Sequence, residues 1–366
     1  MIDTRTNKTI KDFPTTRYQG SKRKILNWLY ENLKDLEFNS VLDAFGGTSS
    51  VSYLFKLMGK EVTFNDELSF NHIIAKALIE NDGVILSSEE IESIINLDNV
   101  IENSSFVKDN FTDIYFTDEE NSWIDKFLHK ISCKDTFIGD SIEVEFKKSI
   151  ALFGLFQASM TKRPYNLFHR KNLYMRLNDV KRNFGNKITW ERSFKEQVKK
   201  FILEANAGIF EGEKQCKSLN SSVFELENEG YDLVYLDPPY VDKNGDHDTV
   251  DYLYCYHFLE GISRYDEWNE LIDYETKNLR FKRDFYSTYF KKRNVLESFE
   301  KLFEKFQDST IVISYKKNGV PSIEEIVEVL EKFKKNVRQE SMHYIYALNK
   351  QNGNAKENRE VLLIGS

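Results

Sequence analysis

Four consecutive residues, Asp237-Pro238-Pro239-Tyr240, carry the strongest chemical signal in the sequence. Two adjacent prolines stiffen the backbone and remove two amide donors, so the neighbouring carbonyl oxygens remain available as acceptors. The Asp237 carboxylate and the Pro238 carbonyl could hold an amino group while its nitrogen attacks an electrophile. The Tyr240 ring could stack on a planar heterocycle. The tetrapeptide therefore predicts a rigid catalytic site, although a plain strand terminator can have the same sequence.

A glycine-containing turn gives a second candidate site. Residues 41–48 form a short apolar run that ends in a turn carrying Asp43, Phe45, Gly46, Gly47 and Thr48. Glycines let the backbone approach a ligand closely. Asp66 follows the next predicted strand, where nucleotide-binding βαβ units place an acid that binds ribose hydroxyls. Together these residues predict a site for a nucleoside-containing ligand.

A basic segment lies between the two motifs. Residues 161–192 contain nine basic and two acidic residues, a local charge of +7 in a chain whose net charge is −8. Cations bind nucleic-acid phosphates, Arg, Lys and Asn can bind base edges, and an aromatic ring can fill the gap left by a displaced base. A solvated basic helix face is the alternative. The candidate nucleic-acid contacts are Lys162, Arg163, Tyr165, Asn166, His169, Arg170, Lys171, Asn172 and Arg176.

A doubly wound α/β sheet would bring these motifs together. Periodicity predicts strands at 40–45 and 61–64 around a helix at 49–58, and further strands at 231–236 and 310–315. Ligands of such sheets bind in the crevice at the carboxyl ends of the strands. We therefore expect the glycine turn and the DPPY tetrapeptide to face the same crevice.

The long interval between the two groups of strands predicts an insertion. We expect a catalytic domain formed by residues 1–82 and 216–366, and an inserted, mostly helical domain at 83–215. Residues 241–270 are expected to form a long loop. The last two apolar runs, at 342–348 and 360–364, predict a closing hairpin.

Composition restricts the setting of the protein. Hydrophobic residues make up 40% of the 366 residues, aromatic residues 14% and charged residues 30%. No run approaches the ~20 apolar residues of a membrane helix. The three scattered cysteines suit neither a disulfide framework nor a zinc site. We expect a cytoplasmic protein that uses no metal and makes no membrane contact.

The order of the motifs resembles that of Dam-like, alpha-group DNA N6-adenine methyltransferases. Residues 18–22 (YQGSK) precede the DAFGGT turn, FNDE at 64–67, the basic insert and DPPY, and the resemblance extends from about residue 14 to the end. It implies a Rossmann-like methyltransferase sheet with an inserted target-recognition domain. It also implies S-adenosyl-L-methionine as cofactor. The implied cofactor residues are Tyr18, Gly20, Lys22, Asp43, Phe45, Gly46, Gly47, Thr48, Asp66 and Asp237.

The resemblance further implies site-specific methylation of an adenine that is flipped out of double-stranded DNA and held by residues 237–240. A monomeric enzyme of bacterial, archaeal or phage origin is expected, either with a restriction endonuclease encoded nearby or as an orphan methylase. A cytosine-N4 methyltransferase, an RNA adenine methyltransferase and a non-catalytic DNA-binding module remain alternatives.

Three features depart from this pattern or leave it open. Ser49 stands where the family often has a further glycine, which could alter the turn without abolishing cofactor binding. Residues 220–222 (NSS) stand where the family often has an acid, so no role is assigned to them. The aromatic cluster at 252–258 could lie near the active site or simply pack under a loop. His257 in this cluster is not expected to act as a base, because the attacking amino group needs no prior deprotonation.

Overall fold

The computed structural model describes residues 7–100, 105–178, 187–240, 251–282, 294–343 and 359–366. The strands of these residues form one seven-stranded sheet. They are β1 Ser40–Asp43, β2 Glu61–Asn65, β3 Lys217–Leu219, β4 Leu233–Leu236, β5 Thr310–Lys316, β6 Val337–His343 and β7 Arg359–Gly365.

Helices account for most of the remaining described structure. Shorter helical turns occur at Ile10–Asp12, Lys22–Ile25, Lys76–Glu80 and Pro164–Asn166. The α-helices are α1 Leu26–Leu33, α2 Ser50–Leu57, α3 Ser69–Ala75, α4 Ser88–Ile95, α5 Phe106–Asn110, α6 Asp118–Ser132, α7 Ser141–Thr161, α8 Tyr174–Leu177, α9 Lys187–Glu191, α10 Phe194–Gly208, α11 Tyr252–Ser263, α12 Trp268–Leu271, α13 Val295–Lys305 and α14 Ile323–Leu330.

The strand order is β3-β2-β1-β4-β5-β7-β6, and β1 is the central switch point. β2 pairs with one side of β1 and β4 with the other, both parallel, with Val41 opposite Val62 and Leu233. β3 and β5 extend the parallel sheet at its two sides. Open parallel sheets form their ligand crevice where the strand order reverses. The predicted doubly wound α/β sheet is therefore confirmed.

Alternating side chains of the central strands fill two separate cores. Val41 of β1 belongs to a large core that continues into the inserted helices, whereas Leu42 belongs to a smaller core under α13 and α14. Leu233 and Val234 of β4 divide in the same way. This period of two, with every position of β4 and all of β1 except Ser40 buried, is typical of strands covered by helices on both faces.

The described residues between β2 and β3 are mainly helical, and α7 packs closely on α10. Gly154 of α7 lies so close to α10 that a Cβ atom there would come within 2.7 Å of the Ile202 side chain. Asp140 caps α7 by accepting hydrogen bonds from the amides of Ile142 and Glu143, each at 2.9 Å. None of the helices within the described ranges is long and apolar enough to span a bilayer.

The loop predicted at 241–270 is wrong over its last 20 residues. Residues 251–271 contain α11 and α12, while 241–250 lie outside the described residues. Asp251 caps α11 through a 2.8 Å hydrogen bond from the Tyr254 amide. The sequence analysis missed this cap, and because α11 is buried on most of its faces, its sequence lacks the apolar–polar period of a surface helix.

An antiparallel pair ends the sheet as predicted, but most of the predicted first strand, 342–348, lies outside the described residues. β7 pairs with β5 on one side and with β6 on the other, both antiparallel. β6 begins at Val337, five residues before the predicted start, and residues 344–358 lie outside the described chain. The pairing places Glu360 beside β5, with consequences for the site described below.

Candidate active site

A cavity lies at the carboxyl ends of β1, β2, β3 and β4. Asp43 ends β1, Asp66 follows β2 and Asp237 follows β4, and all three line the cavity. Parallel strands end at the same edge, so three residues that are distant in sequence become neighbours. The cavity is also lined by the predicted residues Tyr18, Gly20, Lys22, Phe45, Gly46, Gly47, Thr48 and Pro239.

The turn after β1 is fixed by close packing. A Cβ atom on Gly46 would lie 2.1 Å from the buried Phe64 ring, so only glycine fits there. Gly47 has a φ of +50° and donates its amide to Asp66 Oδ2 at 2.9 Å. Ser49 has a φ of +65°, in the left-handed region that glycine adopts readily. Serine therefore keeps the backbone geometry that a glycine would give at this position.

The three strand-end carboxylates make the cavity acidic. Asp43 is 1% exposed and accepts a 2.6 Å hydrogen bond from Ser52 Oγ. Burial raises the pKa of Asp43 to about 7, and burial also raises the pKa of Asp66. A buried carboxylate with a raised pKa is stabilised by a cationic ligand. Carboxylates, backbone amides and aromatic rings in one cavity therefore fit S-adenosyl-L-methionine, which carries a sulfonium and an ammonium group.

Three parallel tyrosine rings stack beside the cavity, and Tyr18 and Tyr252 line it. The Tyr18 ring stacks on Tyr252 and on Tyr256, with centroid distances of 5.3 and 4.6 Å. Tyr252 lines the cavity directly, and the Tyr256 hydroxyl accepts a 2.8 Å hydrogen bond from the Gln19 amide. The cluster at 252–258 thus belongs to the site at its first residue and packs inward beyond it.

His257 is part of that inward packing. Its side chain is fully buried, and its Nε2 atom lies 2.8 Å from the Tyr115 hydroxyl. Burial lowers the pKa of His257 to about 3, so the ring stays neutral at physiological pH. His257 links α11 to the inserted helices and is not placed to act as a base.

A lysine connects the N-terminal motif to the DPPY tetrapeptide. Lys22 Nζ lies 2.7 Å from both Asp237 Oδ1 and the Tyr240 hydroxyl. Asp237 and Pro239 line the cavity, whereas Pro238 is buried. The Tyr240 ring packs edge-to-face on Tyr315, with ring centroids 5.1 Å apart. The tyrosines that line the cavity are Tyr18, Tyr235 and Tyr252, so the predicted stacking surface is not provided by Tyr240 in this arrangement.

Electrostatics at Asp237 reflect two opposing neighbours. Burial raises the pKa of Asp237 to about 6, and the charge of Glu360 adds to this shift, while Lys22 opposes it. Burial alone would lower the pKa of Lys22, but the charges of Asp237 and Glu360 outweigh burial and raise it. Lys22 is therefore a permanent cation between two carboxylates.

Several residues of the site were not predicted from the sequence. Ser221 and Ser222 follow β3 and line the cavity, just as Asp66 follows β2. β3 has only three residues, so its apolar signal is weak. Glu360 lies on β7 and reaches Lys22 Nζ at 3.2 Å. Its only sequence signal is its position in a charged pair, Arg359-Glu360, that precedes an apolar run.

We call residues 162–176 the recognition segment. Lys162 and Arg163 are each 1% exposed, and Asn172 is 5% exposed. Arg163 donates to the carbonyls of Tyr115 and Arg170 at 3.2 and 2.8 Å, and also to Asn172 Oδ1.

The remaining two cations of the segment's interior share one acid. Lys162 pairs with Glu120 Oε1 at 2.8 Å, and Arg176 contacts both oxygens of Glu120 at 2.7 and 2.9 Å. The sequence predicts direct DNA contact by Lys162, Arg163, Asn172 and Arg176. The structure contradicts this prediction, because these side chains are buried and bond to acceptors within the protein.

The other predicted residues of the segment lie at its surface. Tyr165 is 64% exposed, and both Tyr165 and Asn166 have φ angles near +60°. Two successive left-handed residues without glycine strain the backbone, and such strain persists only where the surroundings enforce it. Arg170 and Lys171 are exposed, and His169 is half-buried.

α11 holds the recognition segment against the catalytic part of the molecule. The Phe168 amide donates to the Cys255 carbonyl at 2.8 Å, and the Phe168 ring stacks on Phe258 with centroids 5.0 Å apart. Tyr252 and Tyr256 of the same helix stack on Tyr18. One helix therefore contacts both the cavity wall and the segment.

Comparison with known proteins assigns the chain to a family. Residues 18–329 match the model of the D12 class N6 adenine-specific DNA methyltransferases. The chain is 25% identical to the Type II methyltransferase M2.HphI of Haemophilus parahaemolyticus over 360 residues, which cover 95% of each protein. It is 27% identical to the Type II methyltransferase M.NlaIII of Neisseria lactamica, over 87% of this chain and 88% of that protein.

A longer relative matches over part of its length. The Type II methyltransferase M.FokI of Planomicrobium okeanokoites is 26% identical over 334 residues, which cover 86% of this chain and 46% of that protein. The family match spans the YQGSK motif, the glycine turn, the inserted helices and DPPY. The chain therefore belongs to the D12 class of N6 adenine-specific DNA methyltransferases.

Proposed function

We propose that the protein transfers a methyl group from S-adenosyl-L-methionine to the N6 amino group of an adenine flipped out of double-stranded DNA. The observation that carries this proposal is the meeting of Asp43, Asp66 and Asp237 at one cavity, with the rigid DPPY backbone at its edge. A base inside a duplex cannot reach such a cavity, so it must leave the stack.

The cofactor would occupy the acidic part of the cavity. Asp66 would accept hydrogen bonds from the ribose hydroxyls, and Asp43 with the turn from Phe45 to Thr48 would hold the methionine end. Gly20 and Tyr18 would approach the cofactor from the N-terminal motif. When bound, S-adenosyl-L-methionine supplies an electrophilic methyl group on a positively charged sulfur.

Asp237 and the Pro238 carbonyl would orient the adenine. Both accept hydrogen bonds from the amino group, which turns the nitrogen lone pair toward the methyl group. Pro239 and Tyr240 keep this backbone rigid. Catalysis then consists of positioning and local electrostatics, and needs neither a covalent enzyme intermediate nor a metal.

The exposed part of the recognition segment would bind DNA. Arg170 and Lys171 carry exposed positive charges that suit phosphates. Asn166 and His169 offer donors and acceptors for base edges. Tyr165 would fill the space left by the flipped base, since its ring is exposed on a strained turn.

The biological setting follows from the relatives. Two relatives of matching length are named Type II methyltransferases, which supports a modification enzyme that acts on cytoplasmic DNA, with a cognate restriction endonuclease as a partner. We propose that it acts as a monomer, with residues 1–82 and 216–366 as the catalytic domain and 83–215 as the target-recognition domain.

The test is a methylation assay with base analysis. Purified protein is mixed with methyl-labelled S-adenosyl-L-methionine and either unmethylated bacterial DNA or RNA, and the digested nucleosides are separated. Label in N6-methyladenine from DNA is the expected result. Label in cytosine or only in RNA would contradict the proposed substrate, and cofactor binding without transfer to either would favour a non-catalytic module.

A further inference from the structure

Glu360 is a buried carboxylate beside the active site that lies outside every motif used above. It lies on β7, antiparallel to β5, and is 0% exposed. Its Oε1 atom lies 2.6 Å from Ser314 Oγ, 3.1 Å from the Tyr240 hydroxyl and 3.2 Å from Lys22 Nζ. A buried carboxylate is costly unless its partners compensate it, so its presence here calls for a reason.

The numbers of donor hydrogens and acceptors in this cluster suggest why a buried carboxylate is present. Lys22 has three hydrogens and three acceptors: Asp237 Oδ1, the Tyr240 hydroxyl and Glu360 Oε1. The Tyr240 hydroxyl has one hydrogen and faces two carboxylates, with Asp237 Oδ1 at 3.0 Å and Glu360 Oε1 at 3.1 Å. Glu360 therefore competes with Asp237 for both donors.

We propose that Glu360 is a positioning residue for methyl transfer, because it shares Lys22 and Tyr240 with Asp237 and so keeps Asp237 available to the adenine amino group. The hydrogen bonds to Asp237 from described side chains fall on Oδ1, and Asp237 lines the cavity, so Oδ2 can accept from the substrate. This inference rests on the proposed function.

Removal of the Glu360 charge would shift the interactions of Lys22 and Tyr240 toward Asp237. Lys22 would lose one of its two carboxylates, and its charge would act on Asp237 alone. The Tyr240 hydrogen would also turn to Asp237. Both changes make Asp237 a weaker acceptor for an amino group, while Asp43, Asp66 and the turn after β1 keep their contacts.

The same change predicts a shift in pH dependence. The negative charge of Glu360 adds to burial in raising the pKa of Asp237, so its loss lowers that pKa. The acidic limb of the rate profile, where Asp237 becomes protonated, should move to lower pH. The titratable groups that face Asp237 and are unaltered by the substitution are Lys22, Asp43, Tyr235, Tyr240 and Tyr252.

The experiment compares Glu360→Gln and Ser314→Ala with the wild-type enzyme. Single-turnover methyl transfer to saturating DNA should slow by about 10- to 100-fold in Glu360→Gln, with cofactor and DNA dissociation constants within about threefold. Ser314→Ala, which loosens Glu360 without removing its charge, should slow transfer less and leave the acidic limb in place. The acidic limb should move to lower pH only in Glu360→Gln.

A matched control separates this role from stability. Asp125→Asn neutralises another buried carboxylate, which accepts from the Val107 and Lys108 amides and from the Tyr265 hydroxyl and is not among the residues that line the cavity. It should lower thermal stability without moving the rate profile. A Glu360→Gln enzyme that transfers at the wild-type rate, or slows with an unmoved acidic limb, would overturn the inference alone.

Failure of the proposed function looks different in the same assay. A wild-type protein that transfers no methyl group to DNA adenine would overturn the proposed function and this inference together. If Glu360→Gln fails to fold, Ser314→Ala still decides, because unchanged transfer in that variant contradicts the role of Glu360.

Discussion

The cavity and the recognition segment both contain buried charges, but those charges do different things. In the cavity, Asp43, Asp66 and Asp237 lie at the ends of strands, and side-chain oxygens face a space that a ligand can fill. In the recognition segment, Lys162 and Arg163 are buried against carbonyls and Glu120, which satisfy them within the protein. The carboxylates of the cavity can still interact with a ligand, whereas Lys162 and Arg163 already have partners within the protein.

The difference shows what a charge in a sequence can and cannot predict. A residue that follows a parallel strand is placed by the hydrogen-bond ladder of the sheet, so its neighbours can be predicted. In a segment without such a ladder, a cationic side chain can point into the protein or toward solvent. It can be buried when several carbonyls accept its hydrogens, since the desolvation cost is then offset.

The largest expected effect tests the cavity side of the comparison. Asp237→Ala should lower the single-turnover rate of methyl transfer by at least about 10³-fold, because the amino group loses its charged acceptor. Dissociation constants for S-adenosyl-L-methionine and DNA should stay within about tenfold. Single-turnover assays measure the rate, and equilibrium binding measures the dissociation constants. An Asp237→Ala enzyme of near wild-type rate would remove Asp237 from the mechanism.

The next effect tests the claim that Arg163 acts within the protein. Arg163→Ala should lower the free energy of unfolding by about 3–5 kcal/mol, because it leaves several buried carbonyls without a donor. Lys171→Ala, an exposed neighbour, should change stability by less than about 0.5 kcal/mol. Denaturant unfolding followed by circular dichroism compares them, and equal stability of the two variants would argue against the buried role.

A smaller effect concerns the exposed cations of the recognition segment. The double variant Arg170→Ala/Lys171→Ala should bind DNA about 10-fold more weakly, and the slope of log affinity against log salt should become shallower by about 2. The transfer rate at saturating DNA should be preserved. Fluorescence anisotropy over a salt series gives the slope; a parallel line would mean that neither residue contacts a phosphate.

The smallest effect concerns the turn after β1. Ser49→Gly should stabilise the protein by about 1 kcal/mol, because Ser49 occupies a left-handed conformation that glycine adopts without steric cost. Cofactor affinity should be unchanged. Thermal unfolding with and without S-adenosyl-L-methionine measures both quantities, and destabilisation by this substitution would show that the Ser49 hydroxyl has a role of its own.

Much of the fold was predictable from the sequence because strands and their terminal residues follow local rules. The strands at 40–43, 61–65, 233–236 and 310–316 have strong apolar runs, so their carboxyl-end acids could be predicted as neighbours. α11 was missed because a helix buried on most faces lacks an apolar–polar period. Glu360 was missed because its contact with Lys22 depends on the pairing of β7 with β5, which no local pattern specifies.

The helix α11 sets the unit that must be exchanged if DNA specificity is to be transplanted between relatives. Phe168 of the recognition segment bonds to and stacks on this helix, although α11 follows DPPY in the chain and lies outside the insertion. A chimera that replaces residues 83–215 alone would place a foreign segment on an unmatched helix. An exchange that includes α11 and α12 keeps both partners of that interface together, while Tyr252 and Tyr256 must still fit the host Tyr18.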